Sequence, residues 1–206
     1  MDIYGNDESI CVKRLQITAK YLGIKINLHD IDLTVDPLFL GQPLLKRKEG
    51  DIIGCHGITK FMCMSVEEDL LQGKTPQIKT WLDFGSKIRQ TLYYWVAVAQ
   101  EINPYVRPVV QQKKTEIAQL LNRLNQYLAD KTFLLGEKIS LADIIISCAL
   151  TDGIVHVLFP QFLKKYTNVL RWYNTVIRQE IFAQVLGKIE FCQKEYLPKK
   201  SKKNKK

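Results

Sequence analysis

The sequence lacks the apolar segments of a membrane-spanning helix and the glycine-rich motifs of common nucleotide-binding folds. No stretch approaches the roughly 18 to 20 consecutive apolar residues that a membrane-spanning helix needs. Neither a P-loop nor the GxGxxG pattern of dinucleotide-binding folds occurs. With 46% hydrophobic and 25% charged residues among 206, the composition is that of a folded chain with enough apolar surface to build a core.

Cysteine and histidine are few, and their spacing argues against two kinds of site. The cysteines form no CxxC pair, so neither a disulfide framework nor a zinc knuckle is predicted. His29 and His156 are isolated, and we expect no metal site and no cofactor. Residues 1–8 lack the basic and then apolar layout of a secretory signal, so we expect reduced thiols in the cytosol or nucleus. The five cysteines are Cys11, Cys55, Cys63, Cys148 and Cys192.

Basic residues outnumber acidic ones, but most of the excess lies at one end of the chain. The formal net charge is +9, and the six lysines of the last ten residues account for all but +3 of it. A segment with this charge and no apolar residue after Pro198 is expected to stay solvated and to attract polyanions such as RNA or the ribosome, without specificity. It would serve equally as a solubilising linker. The lysines are Lys199, Lys200, Lys202, Lys203, Lys205 and Lys206.

The first seventy residues alternate between patterns typical of strands and of helices. Apolar residues at helical spacing between Ser9 and Leu22 end at Gly23, a residue that favours the left-handed conformation of a helix stop. Two apolar stretches around the tight turn at 48–50 indicate a hairpin. The predicted order is a strand at 1–4, a helix at 9–22, a strand at 24–28, hairpin strands at 43–47 and 51–53, and a helix from about residue 56.

The rest of the chain is predicted to be helical. Thr75 is expected to cap a helix with its hydroxyl, with Pro76 in the first turn, where a missing N–H costs nothing. One long apolar helix then runs to an interruption at 103–108, and 113–128 is clearly amphipathic. The predicted organisation is an α/β domain at 1–72, a linker at 73–76, an all-helical domain at 77–196 and a disordered tail at 197–206.

The strongest local signal lies at residues 139–144. Ser140 followed by Asp143 is a capping box, in which each side chain bonds the backbone N–H of the other residue, and Ile139 and Ile144 have the spacing of a hydrophobic staple. The helix that follows is apolar on all sides, so we expect it to be buried and its cap to be structural. Loss of the Asp143 side chain should cost about 1 kcal/mol or more.

The order of the elements, the linker and the buried helix that opens with Ser-x-x-Asp together resemble the glutathione-transferase fold. This implies a thioredoxin-like βαβ–ββα domain followed by an all-helical domain. Pro43, after Gln42, stands where that family has a cis-proline before the third strand. Residues 136–143 resemble the family's approach to the buried helix.

The C-terminal third resembles a narrower group, the glutathione-transferase-like domain of the elongation factor 1 gamma subunit. The segments 171–173 and 185–192, with Phe182 between them, carry this resemblance, and 81–84 and 132–136 are consistent with it. It implies a cytoplasmic, non-catalytic interaction platform that ties the nucleotide-exchange subunit and other translation proteins into one complex. Related domains on aminoacyl-tRNA synthetases and their scaffold proteins fit the same residues, and self-association is a further expectation.

An active glutathione transferase is the alternative, and the same resemblance indicates which residues it would use. Such enzymes stabilise the thiolate of glutathione with a hydroxyl or thiol near the end of the first strand, and a hydrogen bond to the charged sulfur lowers its pKa. Tyr4, Ser9 and Cys11 are the candidates here. The simpler interpretation is that Tyr4 is a packed aromatic residue, Ser9 a helix cap and Cys11 a buried thiol.

The second requirement of that chemistry is an acid or amide beside a hydroxyl, which holds the γ-glutamyl end of glutathione at the turn into the third helix of the fold. Here the turn reads Gly-Cys-His-Gly, with Cys55 and His56 in place of that pair. We therefore interpret Pro43, Cys55 and His56 as the remnant of a glutathione site, with His56 as an exposed residue at the helix start. A third hypothesis is an RNA-binding accessory protein that acts through the lysine-rich tail.

Overall fold

A computed structural model describes residues 1–30 and 42–196 of the chain. Four short strands form one sheet in the order β2-β1-β3-β4. The first two strands are parallel, and the helix between them provides the crossover that parallel strands need; the other two pairings are antiparallel. The elements of this part are β1 (Asp2–Tyr4), α1 (Ile10–Tyr21), β2 (Asn27–His29), β3 (Leu44–Leu45), β4 (Ile52–Ile53) and α2 (Cys55–Met64).

Helix α1 ends as the glycine predicts, and this ending shortens the following strand. Gly23 has φ of 65°, its N–H bonds the Lys20 carbonyl, and the Ile24 N–H bonds the Ala19 carbonyl. This pair of bonds is the Schellman arrangement that closes a helix. Because Ile24 completes the helix end, the strand predicted at 24–28 begins only at Asn27, and that part of the prediction was wrong.

The predicted hairpin is present with shorter strands, and the proline before it is not in the expected isomer. Asp51 accepts a hydrogen bond from the Arg47 N–H (3.1 Å) across the turn, and Gly50 has φ of 125°. No peptide bond among the described residues is cis, so the bond between Gln42 and Pro43 is trans. A bond before proline favours trans by about 0.5–1 kcal/mol unless its surroundings impose cis, and the expectation of cis came from the resemblance alone.

The helices that follow confirm the all-helical reading, with two corrections at their starts. The Thr75 hydroxyl does not cap α3; it donates to the Gln72 carbonyl at 2.8 Å, and Pro76 takes the N-cap position. The predicted interruption is present as the segment 100–106 between α3 and α4, but Pro108 lies beyond it, in the first turn of α4, where its missing N–H has no intrahelical partner to lose. The elements are α3 (Gln77–Ala99), α4 (Arg107–Tyr127), α5 (Leu141–His156), α6 (Pro160–Leu163), α7 (Thr167–Ile177) and α8 (Glu180–Leu186).

Helix α5 lies at the centre of the core, packed against α1, α3 and α7. Two glycines let α3 and α5 approach closely. A Cβ on Gly85 would lie 2.6 Å from the Ile145 side chain, and one on Gly153 would lie 2.7 Å from the Leu92 side chain. Because α5 also contacts α1, the sheet part and the helical part share one continuous hydrophobic core.

Among residues 1–30 and 42–196, no helix combines the length and the hydropathy needed to cross a membrane. The same residues contain no group of three or more His, Cys, Asp or Glu side chains that could hold a metal ion. The lysine-rich segment proposed as a polyanion-binding tail lies outside the described residues.

Candidate functional site

A cleft of about 490 Å³ opens where the turn into α2 faces α3. The turn from β4 carries the backbone into α2 and contributes one wall, and one face of α3 contributes the other. Seven polar side chains bring its chemistry: a thiol, an imidazole, a hydroxyl, a guanidinium, a phenol and two amides. The lining residues are Gln42, Ile53, Gly54, Cys55, His56, Gly57, Ser86, Arg89, Gln90 and Tyr93.

Gly54 determines how α2 starts. Its φ is 84°, a conformation that side chains disfavour, and a Cβ there would lie 2.8 Å from the Gln42 side-chain oxygen. The Gly54 N–H donates to the carbonyl of the buried Pro43 at 2.8 Å, which ties the turn to the start of β3. The structure thus brings Pro43, Cys55 and His56, the three residues interpreted as the site remnant, into one corner.

His56 is half-buried rather than exposed, which corrects the sequence interpretation. Its Nδ1 lies 3.3 Å from the hydroxyl of Ser86, which itself donates to the Leu82 carbonyl. Burial, reinforced by the positive charges of Arg14 and Arg89, lowers the pKa of His56 to about 4. The imidazole is therefore neutral at physiological pH and supplies no charge for an anionic ligand.

Two thiols lie together beneath the cleft. The Sγ atoms of Cys11, in the first turn of α1, and Cys55, at the start of α2, are 3.2 Å apart. The hydrogen bond between them, helped by Arg14 and Arg89, lowers the pKa of Cys55 to about 6 against the effect of burial. The same bond, together with burial, raises the pKa of Cys11. The two thiols titrate as a unit, and the hydrogen bond between them and the two guanidinium groups favour the form with one proton and one negative charge.

Two arginines provide the positive charge of this region, and sequence analysis identified neither. Arg89 of α3 lies at the cleft and donates from Nη1 to the Cys11 Sγ at 2.6 Å. Arg14 of α1 is only 5% exposed, and its Nε and Nη2 have no hydrogen-bond partner among the described residues. The available signal was the position of Arg14 three residues after Cys11, on the buried face of α1.

The hydroxyls proposed for thiol activation do not line this cleft. The Tyr4 ring stacks on His29 with centroids 4.8 Å apart, and the Lys46 ammonium lies 4.4 Å from its centroid. Ser9 caps α1 by accepting a hydrogen bond from the Cys11 N–H (3.3 Å). Ser9 instead lines a neighbouring cleft of about 250 Å³ along α3.

The cluster at the start of α5 is buried and fully engaged. Asp143 accepts from the Ser140 N–H and hydroxyl through Oδ2, and from the Leu134 N–H and the Trp172 indole through Oδ1. Both cap residues are buried, as is Ile144, and Ile139 is half-buried. Sequence analysis named the segment 171–173 but did not predict the hydrogen bond from Trp172 to Asp143, because a contact between α5 and α7 leaves no local pattern.

Comparisons with known proteins agree with this architecture. The model of the glutathione S-transferase C-terminal domain matches residues 90–180. The elongation factor 1-gamma proteins of Danio rerio and Homo sapiens are each 32% identical over 93% of this chain and 47% of their own length. The chain therefore spans about half the length of the curated relatives it matches.

Solved structures extend the likeness to the whole fold. The glutathione-transferase-like domain of elongation factor 1-gamma from Saccharomyces cerevisiae superposes with a TM-score of 0.82 at 17% identity, covering 96% of this chain and 98% of that one. Glutathione transferase F2 from Populus trichocarpa gives 0.75 at 20% identity, covering 90% and 96%. The chain thus has the glutathione-transferase-like fold, a small mixed sheet followed by a helical domain, and its homologues at about 30% identity over most of its length are elongation factor 1-gamma proteins.

Proposed function

We propose that the chain is a non-catalytic, cytoplasmic interaction module of the translation machinery, which anchors partner translation factors. The observation that carries this proposal is the similarity to elongation factor 1-gamma, which extends over 93% of the chain and through both parts of the fold. The glutathione-transferase-like domain of elongation factor 1-gamma from Saccharomyces cerevisiae also has this fold. Binding to synthetases and self-association are finer possibilities within the same proposal.

The geometry of the cleft supports a role other than glutathione conjugation. Such a reaction needs a donor beside the sulfur and a polar pair that holds the γ-glutamyl end. Tyr4 is stacked on His29, and Ser9 is engaged in the cap of α1. At the turn, the Cys55 thiol is hydrogen-bonded to the Cys11 thiol, and the imidazole of His56 is neutral at physiological pH.

The direct test is binding to the nucleotide-exchange subunit of elongation factor 1, the partner class that the resemblance implies. Purified chain and purified subunit are mixed, and the complex is measured by calorimetric titration and by size-exclusion chromatography with light scattering. We expect a complex of defined stoichiometry. A glutathione transferase of the same fold, such as the poplar enzyme, is the matched control and should not bind. Absence of a complex with the intact chain would remove the main support for the proposal.

The enzyme alternative is tested separately, by titration with glutathione and by a chromogenic thiol-conjugation assay. We expect no turnover above that of the buffer. Tyr4→Phe and Ser9→Ala remove one hydroxyl each. Because Ser9→Ala also removes the side-chain cap of α1, its thermal unfolding is measured alongside its activity. Tight glutathione binding, together with turnover that is lost in either variant, would contradict the proposal of a non-catalytic module and support an active glutathione transferase.

A further inference from the structure

The paired thiols of α1 and α2 have no role in the proposed scaffold, yet their placement is specific. Cys11 and Cys55 come from elements 44 residues apart in the chain, and their Sγ atoms lie 3.2 Å from one another. A disulfide bond is about 2.05 Å long, so the sulfurs need to approach by only about 1 Å to be joined. Among the cysteines of the described residues, only these two are hydrogen-bonded to each other.

We propose that Cys11 and Cys55 form a peroxide-sensitive dithiol, in which Cys55 reacts first with a small hydroperoxide and Cys11 then closes a reversible disulfide. This goes beyond the proposed function and does not depend on it.

The positive charges around the pair favour a thiolate within it, and Cys55 is the member of the pair that lines the cleft through which an oxidant would enter. Arg89 donates to the Cys11 sulfur, and the buried Arg14 guanidinium keeps its charge at every physiological pH and requires an anion nearby. Both thiols lie in the first turn of a helix, Cys11 in α1 and Cys55 in α2, where the helix dipole favours negative charge. Asp152 of α5 also lies near Arg89, and burial raises the pKa of its carboxyl.

The other buried thiols lack these surroundings. Burial raises the pKa of Cys63 to about 11 and that of Cys148 to about 12. Both stay protonated at neutral pH, and a protonated thiol is a poor nucleophile. Cys63 is in the same helix as Cys55, so it provides an internal comparison for reactivity.

Access to the pair selects the kind of oxidant. Cys55 lines the 490 Å³ cleft, but both thiols are only 5% exposed. A bulky disulfide would have to bring its sulfur through the gap between the turn and α3, whereas a hydroperoxide places only two oxygens there. The geometry therefore favours hydrogen peroxide or a small organic hydroperoxide.

The chemistry balances with a hydroperoxide as the only co-reactant. The Cys55 thiolate attacks one oxygen, the O–O bond breaks, and Cys55 becomes a sulfenic acid while the leaving oxygen takes a proton and departs as water or an alcohol. The Cys11 sulfur then attacks the Cys55 sulfur, the S–O bond breaks, and the hydroxyl leaves as water with the proton from Cys11. Both sulfurs are oxidised by one electron each, and the peroxide is reduced by two.

The experiment uses the intact chain carrying Cys192→Ser, because Cys192 is the half-buried thiol that would otherwise react at the surface. The protein is treated with hydrogen peroxide, remaining thiols are blocked with a maleimide, and a non-reducing digest is analysed by mass spectrometry. We expect peptides joined through Cys11 and Cys55, lighter by two hydrogens, which a dithiol reductant separates again. Cys63 should be oxidised about tenfold or more slowly at neutral pH.

Two variants separate the roles of the sulfurs. In Cys11→Ser the sulfenic acid on Cys55 should persist and be trapped by dimedone, whereas Cys55→Ser should leave Cys11 unoxidised. The control Cys63→Ser should form the disulfide as the parent does. If a variant fails to fold, the peptide map of the parent decides alone. Maleimide on both Cys11 and Cys55 after peroxide treatment, or sulfinic acid on Cys55 without a link to Cys11, would overturn the proposal.

Discussion

The loss of the Asp143 side chain should destabilise the fold strongly. Four donors from three parts of the chain converge on its buried carboxylate, including the Trp172 indole at 2.7 Å. Asp143→Ala would leave the indole N–H and the Leu134 N–H buried without partners, at about 1–3 kcal/mol each. We expect the free energy of unfolding to fall by about 3 kcal/mol in urea titrations.

The matched control is Asp130→Ala, which removes a carboxylate whose side chain is 80% exposed and pairs only with its neighbour Lys131. Exposed pairs of this kind contribute about 1 kcal/mol or less. A similar loss of stability in the two variants would show that the buried cluster at the start of α5 has no special role.

His56 should make the folded state sensitive to acid in a defined range. Its pKa is about 4 in the folded chain, lowered by burial and by the two arginines from an ordinary value of 6.5. Between these values the unfolded chain binds a proton that the folded chain excludes, so the free energy of unfolding falls as the pH falls. This contribution is fully present above about pH 6.5 and is lost as the pH decreases toward 4.

His56→Gln keeps a polar side chain of similar reach and removes the titration. We expect its unfolding free energy to decline less than that of the parent between pH 6.5 and 4, as followed by urea denaturation at several pH values. Parallel curves for the two proteins across this range would contradict the assignment of the shifted pKa to His56.

At the scale of elements, the close approach of α3 and α5 depends on the absence of a side chain at Gly85 and Gly153. By helix propensity alone, Gly→Ala within a helix stabilises by about 1 kcal/mol. At Gly85, however, the added methyl would lie 2.6 Å from the Ile145 side chain of a fully packed helix. We expect Gly85→Ala to destabilise by about 1–3 kcal/mol, because overpacking outweighs propensity.

Gly153→Ala should also be destabilising, because its methyl group would lie 2.7 Å from the Leu92 side chain. The stability of both variants is measured by thermal unfolding. Gln90→Ala, at an exposed position of α3, is the control and should change stability by about 0.5 kcal/mol or less. Stabilisation by Gly85→Ala would mean that α3 and α5 can separate without cost.

For the whole molecule, the separation of charge predicts where polyanions bind. Residues 1–196 carry a formal charge of only +3, and the six lysines at 199–206 carry the rest. We expect deletion of 199–206 to abolish retention on RNA, and the retention by the full chain to weaken steeply with salt as condensed cations are displaced. Filter binding at several salt concentrations measures both effects.

A tail of the same length with its lysines changed to glutamine is the matched control, since it separates charge from chain length. Retention that survives in both tail variants would place the RNA contact on residues 1–196 and remove the third hypothesis. The division into 1–72, 73–76 and 77–196 also stays a prediction, which limited proteolysis of the intact chain would test.

The sequence by itself determined the features that depend on neighbouring residues. Periodicity and turn residues identified the order of strands and helices, and Gly23 and the Ser140–Asp143 pair marked helix ends, because caps are local interactions within about six residues. The same local patterns, with longer motifs, carried the resemblance to the fold.

Only the tertiary structure decided what meets across elements. Three hydrogen bonds join residues that are distant in sequence. They link Cys55 to Cys11, Arg89 to Cys11, and the Trp172 indole to the Asp143 carboxylate. Packing also determines how far each side chain is exposed to solvent, and it leaves His56 half-buried. Burial and long-range contact are properties of the packed chain, and the pKa values of the site follow from them.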